Sequence, residues 1–284
     1  MTWVIEDVDR VLVAVDVDGT LLTSAGRLSV RTRVALGSAD RAGWHVALVT
    51  GRPLPHVLPV ARELGVGEYV IAANGATVAE ISSGAVLYQA SLPGHLVRTA
   101  MDRARRAVPG LRLAATTQRG FHAEAGFHDL APLTKDDAVV VDDATPEPDD
   151  TVHSAVLFVT GADADSLLAG VRAVVPEGVD VSPSGLVGSV ELTAPGVHKG
   201  GGIAHLCRRL GIEQRHVVAF GDGLNDHEMI VWAGHGVAMG NAEPVTKALA
   251  DEVTATNDDD GVATVIERLV APLLAASATG RAGR

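Results

Sequence analysis

Short apolar runs punctuate this chain, and three of them stop abruptly at polar residues. Positions 11–15 (VLVAV) run into Asp16-Val17-Asp18-Gly19-Thr20, and positions 46–49 run into Thr50-Gly51-Arg52-Pro53. Positions 217–220 run into Gly221-Asp222-Gly223-Leu224-Asn225-Asp226. Runs this short, without polar alternation, predict central parallel strands covered on both faces. Ser29 is placed to cap a helix running to about Ala42; a second helix is expected over 57–64 and a further strand over 69–72. Strands and helices in alternation predict an α/β fold with a doubly wound parallel sheet. Asn74-Gly75 reads as a turn, and 76–81 and 85–88, joined through Ser82-Ser83-Gly84, read as a hairpin attached to that sheet.

From 89 to 190 the pattern changes. A helix is expected over 96–108, short strands over 111–115 and 155–159, a helix over 164–174 and a returning strand over 189–193. Beyond it, Lys199-Gly200-Gly201-Gly202 opens a helix with Ile203, Leu206, Cys207 and Leu210 on one face. The middle segment is therefore an α+β insertion. The expected division is a core of 1–88 and 191–274, an inserted cap of 89–190 hinged near 89–94 and 194–196, and a disordered tail over 275–284. The last core helix is expected over 262–269, and 234–240 as a turn and short strand. Residues 135–150 are rich in Asp and read as a solvated loop. His122, Glu124, His128 and Asp129 match no standard zinc spacing.

The strand ends are where ligands meet open α/β sheets. Asp16 and Asp18, two apart in extended chain, leave on the same side. Carboxylates so close repel, which suits a divalent cation or a protonated general acid. A formal net charge of −12 argues against nucleic acid or anionic membrane as a partner. Cys207 is the lone cysteine, so no internal disulfide forms. Neither a secretory leader nor an apolar run of the roughly 18 residues needed to span a membrane is found, and a soluble, cytoplasmic protein is expected. Lysine occurs only at 135, 199 and 247 in a chain that otherwise uses arginine. A Lys199 in that setting suits a compact ammonium wedged between anionic oxygens, where a planar guanidinium is too broad.

Taken in order, Asp16-x-Asp18-Gly19-Thr20, Thr50-Gly51-Arg52, Lys199 and Gly221-Asp222-x-x-Asn225-Asp226 resemble the four motifs of haloacid-dehalogenase-superfamily phosphatases of the Cof type, over about 11–269. The resemblance implies a large α/β cap between the second and third motifs. It also implies that Asp16 attacks phosphorus to form an aspartyl phosphate, with Asp18 as acid and then base. Thr50 and Lys199 would bind a phosphoryl oxygen. Mg²⁺ would be held by the Asp16 and Asp222 carboxylates and the Asp18 carbonyl, with Asp226 supporting the metal and Asn225 orienting phosphate or that support. Arg52 is assigned to loop support, and Asn74 to a substrate contact or an ordinary turn. The expected activity is hydrolysis of a small phosphorylated metabolite, a sugar phosphate first among them. The alternatives are a phosphomutase and a phosphoacceptor signalling domain; the latter should carry its acidic pair before the acceptor strand and needs no cap. Oligomeric state is not encoded in any motif.

Overall fold

Leu12–Asp16 (β1) is buried at every position, and the computed structural model places it at the centre of the larger of two sheets. The structure describes residues 10–130, 139–184 and 186–281; the N-terminal segment read for a leader and the first part of the acidic loop lie outside them. From β1 the chain continues through Val30–Arg41 (α1), His45–Val49 (β2), Leu54–Leu64 (α2), Tyr69–Ala72 (β3) and a hairpin of Thr77–Glu80 (β4) and Val86–Gln89 (β5). Ser29 caps α1 as expected, accepting from the Thr32 amide at 3.0 Å.

The insertion follows: Leu92–Pro93 (β6), Gly94–Ala107 (α3), Arg112–Thr117 (β7), Gly120–Glu124 (β8), Phe127–Leu130 (α4), Val139–Val141 (β9), Thr151–Phe158 (β10), Ala164–Arg172 (α5), Asp180–Pro183 (β11) and Ser189–Thr193 (β12). The chain then rejoins the core with Lys199–Leu210 (α6), Val217–Gly221 (β13), His227–Trp232 (α7), His235–Ala238 (β14), Pro244–Leu249 (α8), Glu252–Val253 (β15) and Gly261–Arg281 (α9).

The core sheet has the order β15-β14-β13-β1-β2-β3-β4-β5. It is parallel from β15 to β3, and its β4–β5 edge is antiparallel. Alternation along β1 assigns its two faces. Val11, Val13 and Val15 pack with Leu36 of α1 and Ile266 of α9, while Leu12 and Ala14 pack with Ile203 and Leu206 of α6. Asp16 continues the even-numbered set and so leaves β1 on the α6 side. β1 also lies between β2 and β13, where the winding of the sheet reverses, so the crevice beyond its carboxyl end is open.

The second sheet, β11-β12-β10-β7-β8-β9 with β6 on β10, is mixed; among the described residues only its β8–β9 pair is parallel. Its own apolar core, built around Val97, Met101, Leu113, Leu157 and Val171, joins the sheet to α3 and α5.

Three expectations need correction. Strand β12 pairs with β10 and β11, so the cut drawn between Val190 and Glu191 runs through a strand of the second sheet, which spans Leu92 to Thr193. The tail expected to be disordered from 275 is helical to Arg281, because the alanine-rich stretch extends α9 past Pro272. The acidic loop is not uniformly solvated: Asp150 is buried and accepts from the Glu147 amide at 2.8 Å. Glu124 pairs with Arg105 and accepts from the Ala144 amide at 3.1 Å.

Candidate active site

Asp16 ends β1 at 5 % exposure, and the chain turns away from it through Gly19, whose φ is +82°. A Cβ at Gly19 would run into the Asp222 carboxylate, so glycine is needed both for the turn and for the close approach of the loop after β13. Thr20 donates its hydroxyl to Asp222 Oδ1 at 2.9 Å. Asn241 donates to the Gly19 carbonyl at 2.8 Å and lies 3.4 Å from Asp222 Oδ2.

Lys199 is the first residue of α6 and is 1 % exposed. His198 caps this helix by accepting from the Gly201 amide at 3.1 Å. Gly202 packs directly on Gly75, with no room for a side chain at either position, which brings the start of α6 against the turn after β3. Lys199 Nζ donates to Asp16 Oδ1 at 2.6 Å and also to Asp226 Oδ1. The second Asp226 oxygen accepts from the Asp222 and Gly223 amides at 2.9 Å each. Asp16, Asp222 and Asp226 thus offer carboxylate oxygens within 4.8 Å of one another.

Three acidic groups face one ammonium, and the setting shifts Asp16, Asp222 and Lys199. Burial pushes Asp16 well above the usual aspartate range, against the pull of Lys199. Burial also lifts Asp222 to about 6, with the Thr20 hydrogen bond opposing and Asp226 adding to the rise. For Lys199, burial works against the charge, but Asp16 and Asp226 outweigh it and raise its pKa. An all-carboxylate donor set with excess negative charge fits a hard divalent cation, which takes oxygen ligands and supplies the missing positive charge.

Thr50 is buried at the end of β2, its hydroxyl accepting from the Arg52 amide at 3.1 Å. Arg52 donates from Nε and Nη2 to the two oxygens of Asp18, at 2.9 and 2.5 Å. The Asp18 carboxylate is therefore turned to the guanidinium and stands apart from the cluster of the other three. Asn74 is buried with φ +50°, and its amide N–H donates to the Thr50 carbonyl at 3.0 Å. Its side chain joins two partners: Nδ2 donates to Glu191 at 2.8 Å, and Oδ1 accepts from Asn225 Nδ2 at 3.0 Å.

Of the residues named from sequence, Asp16, Lys199, Asp222 and Asp226 form one cluster, and Thr50, Asn74 and Asn225 adjoin it. Asp226, expected to support the metal, offers a carboxylate oxygen within 4.8 Å of those of Asp16 and Asp222. Arg52 was assigned to loop support and instead clamps Asp18. Asn241, Thr20 as an Asp222 partner, and Glu191 were missed. Thr20 lay within a motif and could have been found; Asn241 and Glu191 carry no local signal.

Known proteins resemble this chain over most of its length. Residues 13–266 match a family model described as haloacid dehalogenase-like hydrolase. A 5-amino-6-(5-phospho-D-ribitylamino)uracil phosphatase of Bacillus subtilis is 30 % identical, over 93 % of this chain and 98 % of its own. A phosphoglycolate phosphatase of Methanothermobacter thermautotrophicus is 30 % identical, over 91 % of this chain and 98 % of its own. Among solved structures, a haloacid dehalogenase subclass IIB sugar phosphatase superposes with a TM-score of 0.75 at 26 % identity, covering 91 % of this chain and 98 % of that one.

Proposed function

We propose that this chain, which belongs to the haloacid dehalogenase-like hydrolase family and is a phosphatase of small phosphorylated metabolites, hydrolyses sugar or polyol phosphates with Mg²⁺ through an aspartyl phosphate. The observation that carries this reading is the buried cluster of Asp16, Asp222 and Asp226 around Lys199 at the carboxyl end of β1. Asp16 attacks phosphorus, with Lys199 holding one of its oxygens and so fixing its orientation. Thr50 donates its hydroxyl to a phosphoryl oxygen. Asp18 gives the leaving oxygen its proton and later takes one from the attacking water, so it must first exchange Arg52 for substrate. The carboxylates of Asp16 and Asp222 and the carbonyl of Asp18 would hold Mg²⁺, with Asp226 and Asn225 ordering its surroundings. Bound there, the ion supplies charge neutralisation for the transferring group.

The second sheet acts as a cap over this crevice, connected to the core by residues 90–91 and 194–198, and its core-facing side selects the leaving group. Sugar and polyol phosphates are favoured by two relatives, one named for a phosphorylated ribityl compound and one for sugar phosphates. A phosphate-release screen across sugar phosphates, polyol phosphates, phosphoglycolate, nucleotides and pyridoxal phosphate tests the reading. Release that needs Mg²⁺, stops with chelator and needs no bisphosphate activator is the expected result. Transfer of the phosphoryl group to a second sugar position without free phosphate would make the enzyme a mutase instead.

A further inference from the structure

Glu191 is a buried carboxylate that the proposed chemistry does not use. It lies in β12 between Val190 and Leu192, which belong to the cap's own apolar core, so alternation turns Glu191 to the opposite, core-facing side of the cap sheet. Its cross-strand neighbours are Val156 and Ser182. At 3 % exposure, a carboxylate is costly unless donors satisfy it. Its donors are Ser154 Oγ, at 3.1 Å from within the cap, and Asn74 Nδ2, at 2.8 Å from the catalytic core. Neither is a cation. The Asn74 contact thus spans the boundary between the two sheets at the edge of the active site.

That contact has a direction. An amide NH₂ group can only donate, so Glu191 fixes which end of the Asn74 side chain faces the cap. The Asn74 oxygen is then left for Asn225, whose own NH₂ must donate to it, as it does at 3.0 Å. Asn225 directly precedes Asp226, the partner of Lys199. The same Asn74 holds the Thr50 carbonyl through its backbone N–H. Each end of the Asn74 amide thus has a partner inside the protein, Glu191 for Nδ2 and Asn225 for Oδ1.

Resting on the phosphatase reading above, we infer that Glu191 is a positioning residue for phosphoryl transfer: seated in the cap, it orients Asn74 and through it the Asn225 amide beside the acidic cluster. Closure of the cap thereby completes the arrangement of the phosphate-binding residues, and an open cap leaves both amides free to turn over. The device couples cap position to rate without Glu191 touching the substrate.

The experiment measures Mg²⁺-dependent phosphate release from acetyl phosphate, and from a sugar phosphate found in the screen, by the full-length wild type and by Glu191→Ala, Glu191→Gln, Asn225→Ala and Glu191→Ala/Asn225→Ala. Thermal midpoints are recorded alongside. The expected loss in kcat for Glu191→Ala is about 10- to 100-fold on both substrates, the range for residues that orient a site from behind, with KM for acetyl phosphate nearly unchanged. Glu191→Gln keeps an acceptor for the Asn74 amide, so it retains most of the wild-type kcat. The double variant loses no more than Asn225→Ala alone, because both changes break one relay. If Glu191→Ala does not fold, Glu191→Met, of similar volume and without the acceptor, carries the same expectations. An unchanged kcat in the folded Ala or Met variant overturns the inference, as do additive losses in the double variant or a Gln variant as impaired as Ala. In those cases wild-type turnover, abolished by Asp16→Asn, still upholds the phosphatase reading. No Mg²⁺-dependent release by the wild type overturns both.

Discussion

The core sheet and the cap sheet carry polar groups in different places. In the core, β1, β2 and β13 are buried almost throughout, and Asp16, Thr50 and Asp222 stand at or just beyond their carboxyl ends. In the cap, the polar groups stand on a face: Ser182 opposes Glu191, and Ser154 opposes Thr116, with Val156 and Ala114 between them on the same side. Parallel strands all end at one edge, so residues distant in sequence converge there without any strand sacrificing its packing. A mixed sheet gathers side chains by alternation, and half of every strand must then serve the cap's own core. On the proposed reading, chemistry is concentrated in the first arrangement and recognition is spread over the second.

The largest test of this contrast is Asp16→Asn, nearly isosteric, which removes the proposed nucleophile. Turnover should vanish into background while circular dichroism stays that of the wild type; appreciable phosphate release from material checked for deamidation would remove Asp16 from its role. Asp18→Asn should cost about 10²- to 10⁴-fold in phosphate release from an alkyl phosphate. The loss in the first step should be smaller for an aryl phosphate, whose leaving group needs less help, and equal losses would argue against Asp18 as the acid.

Leu113→Ala, at a fully buried position of the cap core, should destabilise by about 2–5 kcal/mol. Calorimetry should assign that loss to the cap, with Mg²⁺ affinity of the core kept; a matching loss of Mg²⁺ affinity would mean that the two sheets do not act as separate units.

Acidity offers a finer probe. With its pKa raised to about 6, Asp222 contributes stability to the metal-free chain that is full in acid and is lost as pH rises through that value. Mg²⁺ binding needs the carboxylate. The rise in thermal midpoint caused by Mg²⁺ should therefore shrink from about pH 7 to about pH 5, and a rise that grows on acidification would contradict the assignment. The smallest effect expected is that of Ser29→Ala, which removes the α1 cap and should cost about 1 kcal/mol in denaturant titration.

The same contrast explains what could be read from sequence. Asp16, Lys199 and Asp222 were legible because an apolar run broken by carboxylates, or a lysine in an arginine-rich chain, is a local signal. The strands β1, β2, β3 and β12 were legible as compact β-branched or apolar runs. Strand β8, with its Gly-Phe-His-Ala-Glu sequence, and β11, which ends in Pro183, were not, since their hydrogen-bond partners come from distant segments. Arg52 could be placed in its loop but not against Asp18, because a long side chain has many partners within reach. Glu191 was invisible for a related reason: its meaning lies in Asn74, on another sheet. The tail was misjudged because alanine-rich sequence was taken for coil, although alanine is the strongest helix former.

The pairing of β1 with β13 matches Leu12 to Val217 across the whole inserted cap. On a ribosome that adds about 5–20 residues per second, one edge of β1 waits roughly 10–40 s for its neighbour. The cap, whose strands all lie between Leu92 and Thr193, is synthesised in full during that wait and can close its own sheet first. A fully buried strand at the centre of the core sheet is thus held with an open edge while a complete domain folds beside it. Asp16 meets Lys199 and Asp222 only when the last third of the polypeptide arrives, so the order of synthesis keeps the acidic cluster apart until the lysine that pairs with two of its members has been made.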